Sequence, residues 1–169
     1  MFLQEKNVLG IMKDNDISIS GGITTVFQGT KNANGDDLSK PGEDSFDSAY
    51  SVDLGIEKNF KDYGKAFIHI ETGDGAGIDD ELKLFSSANR DADDSDNAIS
   101  LTEAWYEHYL PKTTLTFGKI DPTAYIDNNE YANCECSQFL GAMFRNSTVI
   151  PFPENSFGVR LNYDFNEFL

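Results

Sequence analysis

Along residues 157–165 the chain alternates without a break. Phe157, Val159, Leu161, Tyr163 and Phe165 share one parity; Gly158, Arg160, Asn162 and Asp164 share the other. Successive side chains of a strand point to opposite faces, so the pattern predicts a strand with one apolar face and one polar face. The same period returns elsewhere. Ile17, Ile19, Ile23 and Phe27 oppose Ser18, Ser20, Thr24 and Gln28. Tyr50, Val52, Leu54 and Ile56 oppose Ser51, Asp53, Gly55 and Glu57, and Ala66, Ile68 and Ile70 oppose Lys65, His69 and Glu71, with Phe67 the exception. Residues 99–110 and 113–121 supply two more strands, joined by a tight turn. Six strands are therefore predicted. Residues 30–48, 73–98 and 122–155 read as long loops rich in Gly, Asn, Asp and Pro, with a short helical fragment expected near residues 80–85. Residues 1–15 are expected to form an arm or one helical turn, ahead of an all-β unit over residues 16–169.

The prediction is an all-β fold of antiparallel, up-and-down strands joined by hairpins. Two architectures share this alternation. In a soluble sandwich the apolar faces make the core and the charged faces meet water. In a transmembrane β-barrel the apolar face meets lipid and the charged face lines the lumen. Two features lean toward the barrel. Phe27, Tyr50, Phe60, Phe157, Tyr163 and Phe165 include several at strand ends, where interfacial aromatic belts occur, and turns alternate between short and long. The competing view is that the aromatics fill a sandwich core.

Composition narrows the partners. The chain has 169 residues, enough for one ordinary domain, and a formal net charge of −16. That charge argues against nucleic-acid binding, which needs a basic surface for phosphates. Mean hydropathy is −0.43, and no apolar run is long enough for a transmembrane helix. Such a test misses barrel strands, which are short and half polar. The N-terminal segment lacks the basic, apolar and small-residue regions of a signal peptide, so the expectation is a cytoplasmic protein or a mature or partial piece of an exported one. Cys134 and Cys136 are too close for a stable disulfide and lack the second pair of a zinc site.

Candidate chemistry concentrates on residues 102–107, where Glu103, Trp105 and Glu107 share one face of one strand. An indole between two carboxylates suits a sugar, whose ring stacks on the aromatic while its hydroxyls donate to the acids. At about 3.3 Å per residue the two glutamates stand about 13 Å apart, too far for the paired carboxylates of one glycosidase reaction. No nucleophile, phosphate-loop or zinc-protease motif is present, and the expectation is that the chain is not an enzyme. Acidic runs at residues 42–47, 77–81 and 91–96 offer oxygen ligands for Ca²⁺, without the spacing of an EF-hand loop. The alternative is that they are solvated loops and that Glu103 and Glu107 are ordinary charges of a polar face.

Several motifs in order resemble one family. Thr-Glu-Ala-Trp-Tyr-Glu at residues 102–107, Phe-Gly-Lys-Ile-Asp at 117–121, the Asp127 to Asn133 stretch, Gln138 to Leu140 and Ile150 to Asn155 are similar to segments of the carbohydrate-selective porins of bacterial outer membranes. The resemblance extends over nearly the whole chain from Ile17. Cys134 and Cys136 depart from it, standing where Asp, Glu or Thr is expected. It implies a barrel of about sixteen strands, of which this chain holds an N-terminal portion, passing small sugars by diffusion. It implies outer-membrane lipid and small sugars as partners, no cofactor, and a parent that is a monomer or a trimer. It implies that Arg160, Asn162 and Asp164 face the pore, and that Glu103, Trp105, Glu107, Lys119, Asp121 and Arg160 lie along the sugar path. The long loop over residues 121–143 is expected to fold inward and narrow the channel. The competing class is a soluble, secreted β-sandwich, either a carbohydrate-binding module with loop Ca²⁺ or a glycan hydrolase.

Overall fold

The computed structural model describes residues 3–14, 16–33, 43–90, 98–132, 138–147, 149–150 and 153–165, the first of these and residue 43 through backbone alone. Seven strands form one antiparallel sheet in sequence order: β1 (Leu3–Asp14), β2 (Ile17–Ala33), β3 (Glu43–Asn59), β4 (Gly64–Asp74), β5 (Ser100–Leu110), β6 (Thr113–Ile120) and β7 (Ser156–Tyr163). All six predicted strands are present. The sheet is open, with β1 and β7 as its edges. The all-β, up-and-down prediction holds. Among the described residues the only helical pieces are 3₁₀ turns, and none is long and apolar enough to cross a membrane.

Three expectations need correction. Residues 3–14 are a strand paired along its length with β2, not an arm or a helical turn. Their alternation is hard to see because the register shifts between Val8 and Gly10, and a bulge reverses parity partway along. Residues 30–33 and 43–48, read as loop, extend the β2–β3 hairpin: Thr30 pairs with Ser45, and Ala33 with Glu43 across a second irregularity. Poor strand formers are carried there by the ladder already running beneath them. The helical fragment near residues 80–85 is instead a 3₁₀ turn at Gly77–Asp79. The Asp79 carboxylate accepts from the Ala88 and Asn89 amides and the Ser87 hydroxyl, so this acid knits its own loop together. Cys134, Cys136 and the acidic run at residues 91–96 lie outside the described residues.

The connections are unequal at the two ends of the sheet. β1–β2, β3–β4 and β5–β6 are joined by tight turns at one end, tied by hydrogen bonds from the Asn59 amide to the Asp16 carbonyl (2.7 Å) and from the Asp164 amide to the Lys112 carbonyl (2.9 Å). The other three connections are long and lie at the opposite end.

Outside the irregularities, registers assign the paired residues of β2–β7 to a face. Ile19, Ile56 and Ile68 stand in one row, as do Leu115 and Leu161; the opposite face carries Ser51, Asp53, Glu57, His69, Glu103, Glu107 and Arg160. Burial then runs against hydrophobicity. Val159 is 72 % and Leu161 67 % exposed on the apolar face, while on the polar face Gln28 is fully covered and Val26 is 1 % exposed. The cover is the loop between β4 and β5. The Gln28 amide accepts from the Ile78 N–H (3.3 Å) and donates to the Ala88 carbonyl (3.4 Å), seating buried Ile78 and Asn89 over Thr24, Val26, Ala49 and Ser51. The long loop between β6 and β7 joins it: the Arg90 amide donates to the Leu140 carbonyl (2.7 Å), and Ala142 to Ser87 (3.0 Å).

Candidate functional site

The central strands of the polar face carry an aromatic and charged cluster. β4 and β5 are paired so that Phe67 lies opposite Trp105, Lys65 opposite Glu107 and His69 opposite Glu103. Directly opposed side chains of an antiparallel pair are about 5 Å apart. Phe67, the residue that breaks the alternation of its strand, is therefore placed against Trp105, with ring centroids 5.4 Å apart. The ammonium of Lys65 stands 5.4 Å from the centre of the indole on one side, and the indole N–H donates to the Glu103 carboxylate (2.9 Å) on the other.

Two glycines permit close approaches around these rings. Gly118 lies opposite Trp105 on β6 with φ of +131°. A Cβ there would meet the Ala104 carbonyl at 2.2 Å and the Trp105 Cα at 2.7 Å, so only glycine fits. Gly55 on β3 lies beside the ring of Phe67, where a Cβ would sit 3.4 Å from the ring edge and 2.7 Å from the Ser20 hydroxyl.

Charges surround the stack in opposed pairs. Lys65 reaches Glu57 at 3.7 Å, and Arg160 of β7 reaches Glu107 at 3.8 Å across β6. Buried Thr116, between them, donates its hydroxyl to the same Glu107 oxygen (3.1 Å). The Arg160 guanidinium also lies 4.4 Å over the ring of Tyr125, the residue that closes the 3₁₀ turn Pro122–Ala124. Burial pushes the Tyr125 phenol above its ordinary value, with Arg160 pulling the other way, so the ring stays neutral at physiological pH.

The predicted sugar-path residues thus divide. Glu103, Trp105, Glu107 and Arg160 share the polar face and form two contacting pairs, Trp105 with Glu103 and Arg160 with Glu107. Asp121 sits at the long-loop end, where it caps the 3₁₀ turn by accepting from the Thr123 amide (2.8 Å), and it borders a polar cavity of about 380 Å³ that Glu103 also lines. Lys119 does not belong with them. Its register partners are Ala104 and Phe157, which puts it on the apolar face, and its ammonium reaches onward to the Leu101 carbonyl of β5, toward the long-loop end (2.6 Å). Of the residues implied to face a pore with Arg160, Asn162 shares its face by register, whereas Asp164 follows the last paired residue.

Sequence reasoning missed Phe67, Lys65, Thr116 and Tyr125 as members of the cluster. Phe67 carried a signal, being an aromatic at a polar-face position. Tyr125 carried none, since its place depends on how the loop folds back.

The apolar face has its own order. Phe60 and Phe117 pack edge-on against Tyr106 at 5.8 and 5.6 Å toward the short-turn end, with Tyr163 and Phe165 in contact nearby at 4.7 Å. Phe46, Tyr50 and Phe157 stand toward the long-loop end, and Leu54, Ile68, Val159 and Leu161 are exposed between. Compared with family models, curated proteins and solved structures, the chain matches none of them.

Proposed function

We propose that this sheet is part of the wall of an outer-membrane β-barrel of the carbohydrate-selective porin type, and that its polar face lines a water-filled path for the passive diffusion of small sugars. The observation that carries the reading is the inversion of burial: loops cover the polar face, while the regularly patterned apolar face has no second layer among the described residues. A soluble sandwich covers the opposite face. A bare apolar surface of this extent marks a membrane or an interface.

Three further observations support lipid as the covering layer. Short turns gather at one end and long loops at the other, as in bacterial barrels. Aromatics stand toward both ends of the apolar face. The span also fits. From Tyr50 on β3 to Phe60 just past its end, ten steps of about 3.3 Å make about 33 Å, which at a barrel tilt of about 40° projects to about 25 Å, the height of an outward apolar band. Open edges have no place in lipid, so in this reading β1 and β7 each pair with a further strand of a closed barrel.

On the lumen side, Phe67 and Trp105 offer an apolar platform for the face of a sugar ring, bordered by Glu57, Glu103 and Glu107 and by Lys65 and Arg160 for its hydroxyls. Opposed charges orient a neutral polyol without holding it tightly enough to stop its exit. The two long loops folded over the polar face narrow the path.

The test uses the single tryptophan. In lipid vesicles Trp105 should stay insensitive to brominated acyl chains, and sugar should alter its emission. A tryptophan moved to the other face, in a Trp105→Phe, Leu54→Trp variant, should be quenched by those same lipids. An apolar-face probe that ignores lipid, in a chain that is monomeric and soluble without detergent, sinks the membrane reading. A soluble dimer that buries the Leu54→Trp probe makes the face a protein interface instead.

A further inference from the structure

We infer that Asp53, His69 and Glu71 form a binding site for one divalent transition-metal ion, such as Zn²⁺, on the polar face between β3 and β4. The three residues lie on adjacent strands, with Asp53 directly opposite Glu71 and His69 one diagonal step away. One ligand atom from each falls within 4.8 Å of the other two, and all three side chains are half-buried. His69 Nε2 already stands 3.3 Å from Asp53 Oδ1. Two ligands of one tetrahedral ion at bond lengths of 2.0–2.2 Å are about 3.3–3.5 Å apart.

The backbone supplies a second, independent observation. Between β4 and β5 the register slips: His69 pairs with Glu103 and Ile70 with Leu101, which leaves Thr102 as an extra residue. Bulges re-aim side chains and cluster beside functional sites. This one sets the Thr102 hydroxyl 2.6 Å from His69 Nδ1 and 3.2 Å from the His69 carbonyl. With its one proton given to the carbonyl, the hydroxyl accepts from Nδ1–H. That leaves Nε2 aimed at the carboxylate of Asp53. A metal ion bound there takes the place of the proton that otherwise lies between Nε2 and the carboxylate. Fixing the far nitrogen of a histidine in this way is the usual outer support of a metal ligand.

The donor set selects the ion. One imidazole and two carboxylates suit Zn²⁺ and its first-row neighbours, whereas Ca²⁺ and Mg²⁺ prefer oxygen throughout. His69 and Glu71 border the 380 Å³ polar cavity, whose wall also includes Glu103, Asp121, Arg90 and Arg145. Three protein ligands leave a coordination position open toward that cavity, where a water or a solute hydroxyl completes the shell. The site lies within one hairpin and one face, so it does not depend on what covers the apolar side.

The chain has two histidines, and His108 faces the other way, opposite Leu115 on the apolar face. It is an internal reference. The full-length, ¹⁵N-histidine-labelled chain, untagged and in detergent micelles, is titrated with ZnCl₂ while both imidazoles are followed by NMR. The expected result is a shift of His69 Nε2 that saturates at one Zn²⁺ per chain, with His108 unmoved and no response to CaCl₂. Asp53→Asn and Glu71→Gln should each weaken binding at least tenfold, and Thr102→Val by roughly tenfold through the lost support. No saturable shift of His69 in the wild-type chain overturns the proposal, leaving an imidazolium paired with Asp53. Equal shifts of both histidines, or a response that survives the double substitution Asp53→Asn, Glu71→Gln, overturn it as well.

Discussion

On the polar face of β2, Val26 and Gln28 are sealed beneath the loop that carries Ile78, whereas on the apolar face of β7, Val159 and Leu161 stand open. The difference is not one of edge against centre alone, because Leu54 and Ile68 on central strands are exposed too. In water the hydrophobic effect drives the opposite arrangement. The sheet is organised around its polar side, with paired charges, stacked rings and returning loops, and leaves its apolar side to be completed by something else. Here alternation fixes which residues share a face, and only the location of the loops fixes which face is covered.

The largest expected effect comes from placing a charge on the bare side. Ile68→Arg should destabilise the sheet in lipid vesicles by about 2–4 kcal/mol if the residue meets hydrocarbon near mid-membrane. The same change on a face meeting water should stay within about 0.5 kcal/mol. Asn162→Arg, on the polar face, serves as the control and should be nearly silent. Denaturant unfolding from vesicles measures both. Equal, small effects at the two positions erase the distinction between the faces.

Next in size is Gly118→Ala. Its φ of +131° and the 2.2 Å approach of a Cβ to the Ala104 carbonyl make the substitution strained, at about 1–3 kcal/mol. The Trp105 emission should shift as the indole is pushed from Phe67. Its cross-strand neighbour Gly158 has no such φ, and a Cβ there meets only the flexible end of Ile120 at 3.1 Å, so Gly158→Ala should cost less. A loss at Gly158 as great as at Gly118 removes the case for a glycine-built ring platform.

Smaller again is Gln28→Leu. It removes the two hydrogen bonds that seat the β4–β5 loop and leaves the Ile78 amide without that acceptor, about 1–3 kcal/mol of local stability. Proteolysis should then begin within residues 77–90 several-fold faster, with the strands intact. Unchanged cleavage there means that the loop is held by its contacts with residues 138–142 instead.

Much of this was legible from the chain. Period two located six strands and assigned Asp53, Glu57, His69, Glu103, Glu107 and Arg160 to one face, because a one-residue error in parity would have moved every side chain of a strand. The platform was half legible: Trp105 between two glutamates stood out, but its partner Phe67 had to be placed by register. β1 was hidden by a bulge that reverses its parity, and the ends of β2 and β3 by residues that ordinarily mark turns. The extra residue at Thr102 left no trace in the sequence, since a bulge is a property of two strands together. Lys119 is a different case. It shares the parity of Leu115 and Phe117, so its face was readable, and the resemblance to a porin motif pointed the other way.

That correction yields the smallest and sharpest test. Arg160 and Lys119 are cations on neighbouring strands but opposite faces. Arg160→Gln loses the Glu107 pair and the stacking on Tyr125, both partly exposed, and should destabilise the sheet in vesicles by no more than about 1 kcal/mol. Lys119 lies one residue from the end of β6, and its ammonium reaches onward to the Leu101 carbonyl at the long-loop end. If the apolar face meets lipid, Lys119→Met should therefore be neutral, or should stabilise by up to about 1 kcal/mol, because it removes a charge from that face. A loss at Arg160 without a loss at Lys119, two chemically similar cations, follows from the faces and from nothing else. If both substitutions weaken the sheet alike, Lys119 behaves as a polar-face residue and the assignment of the outer face is wrong at its most exposed strands.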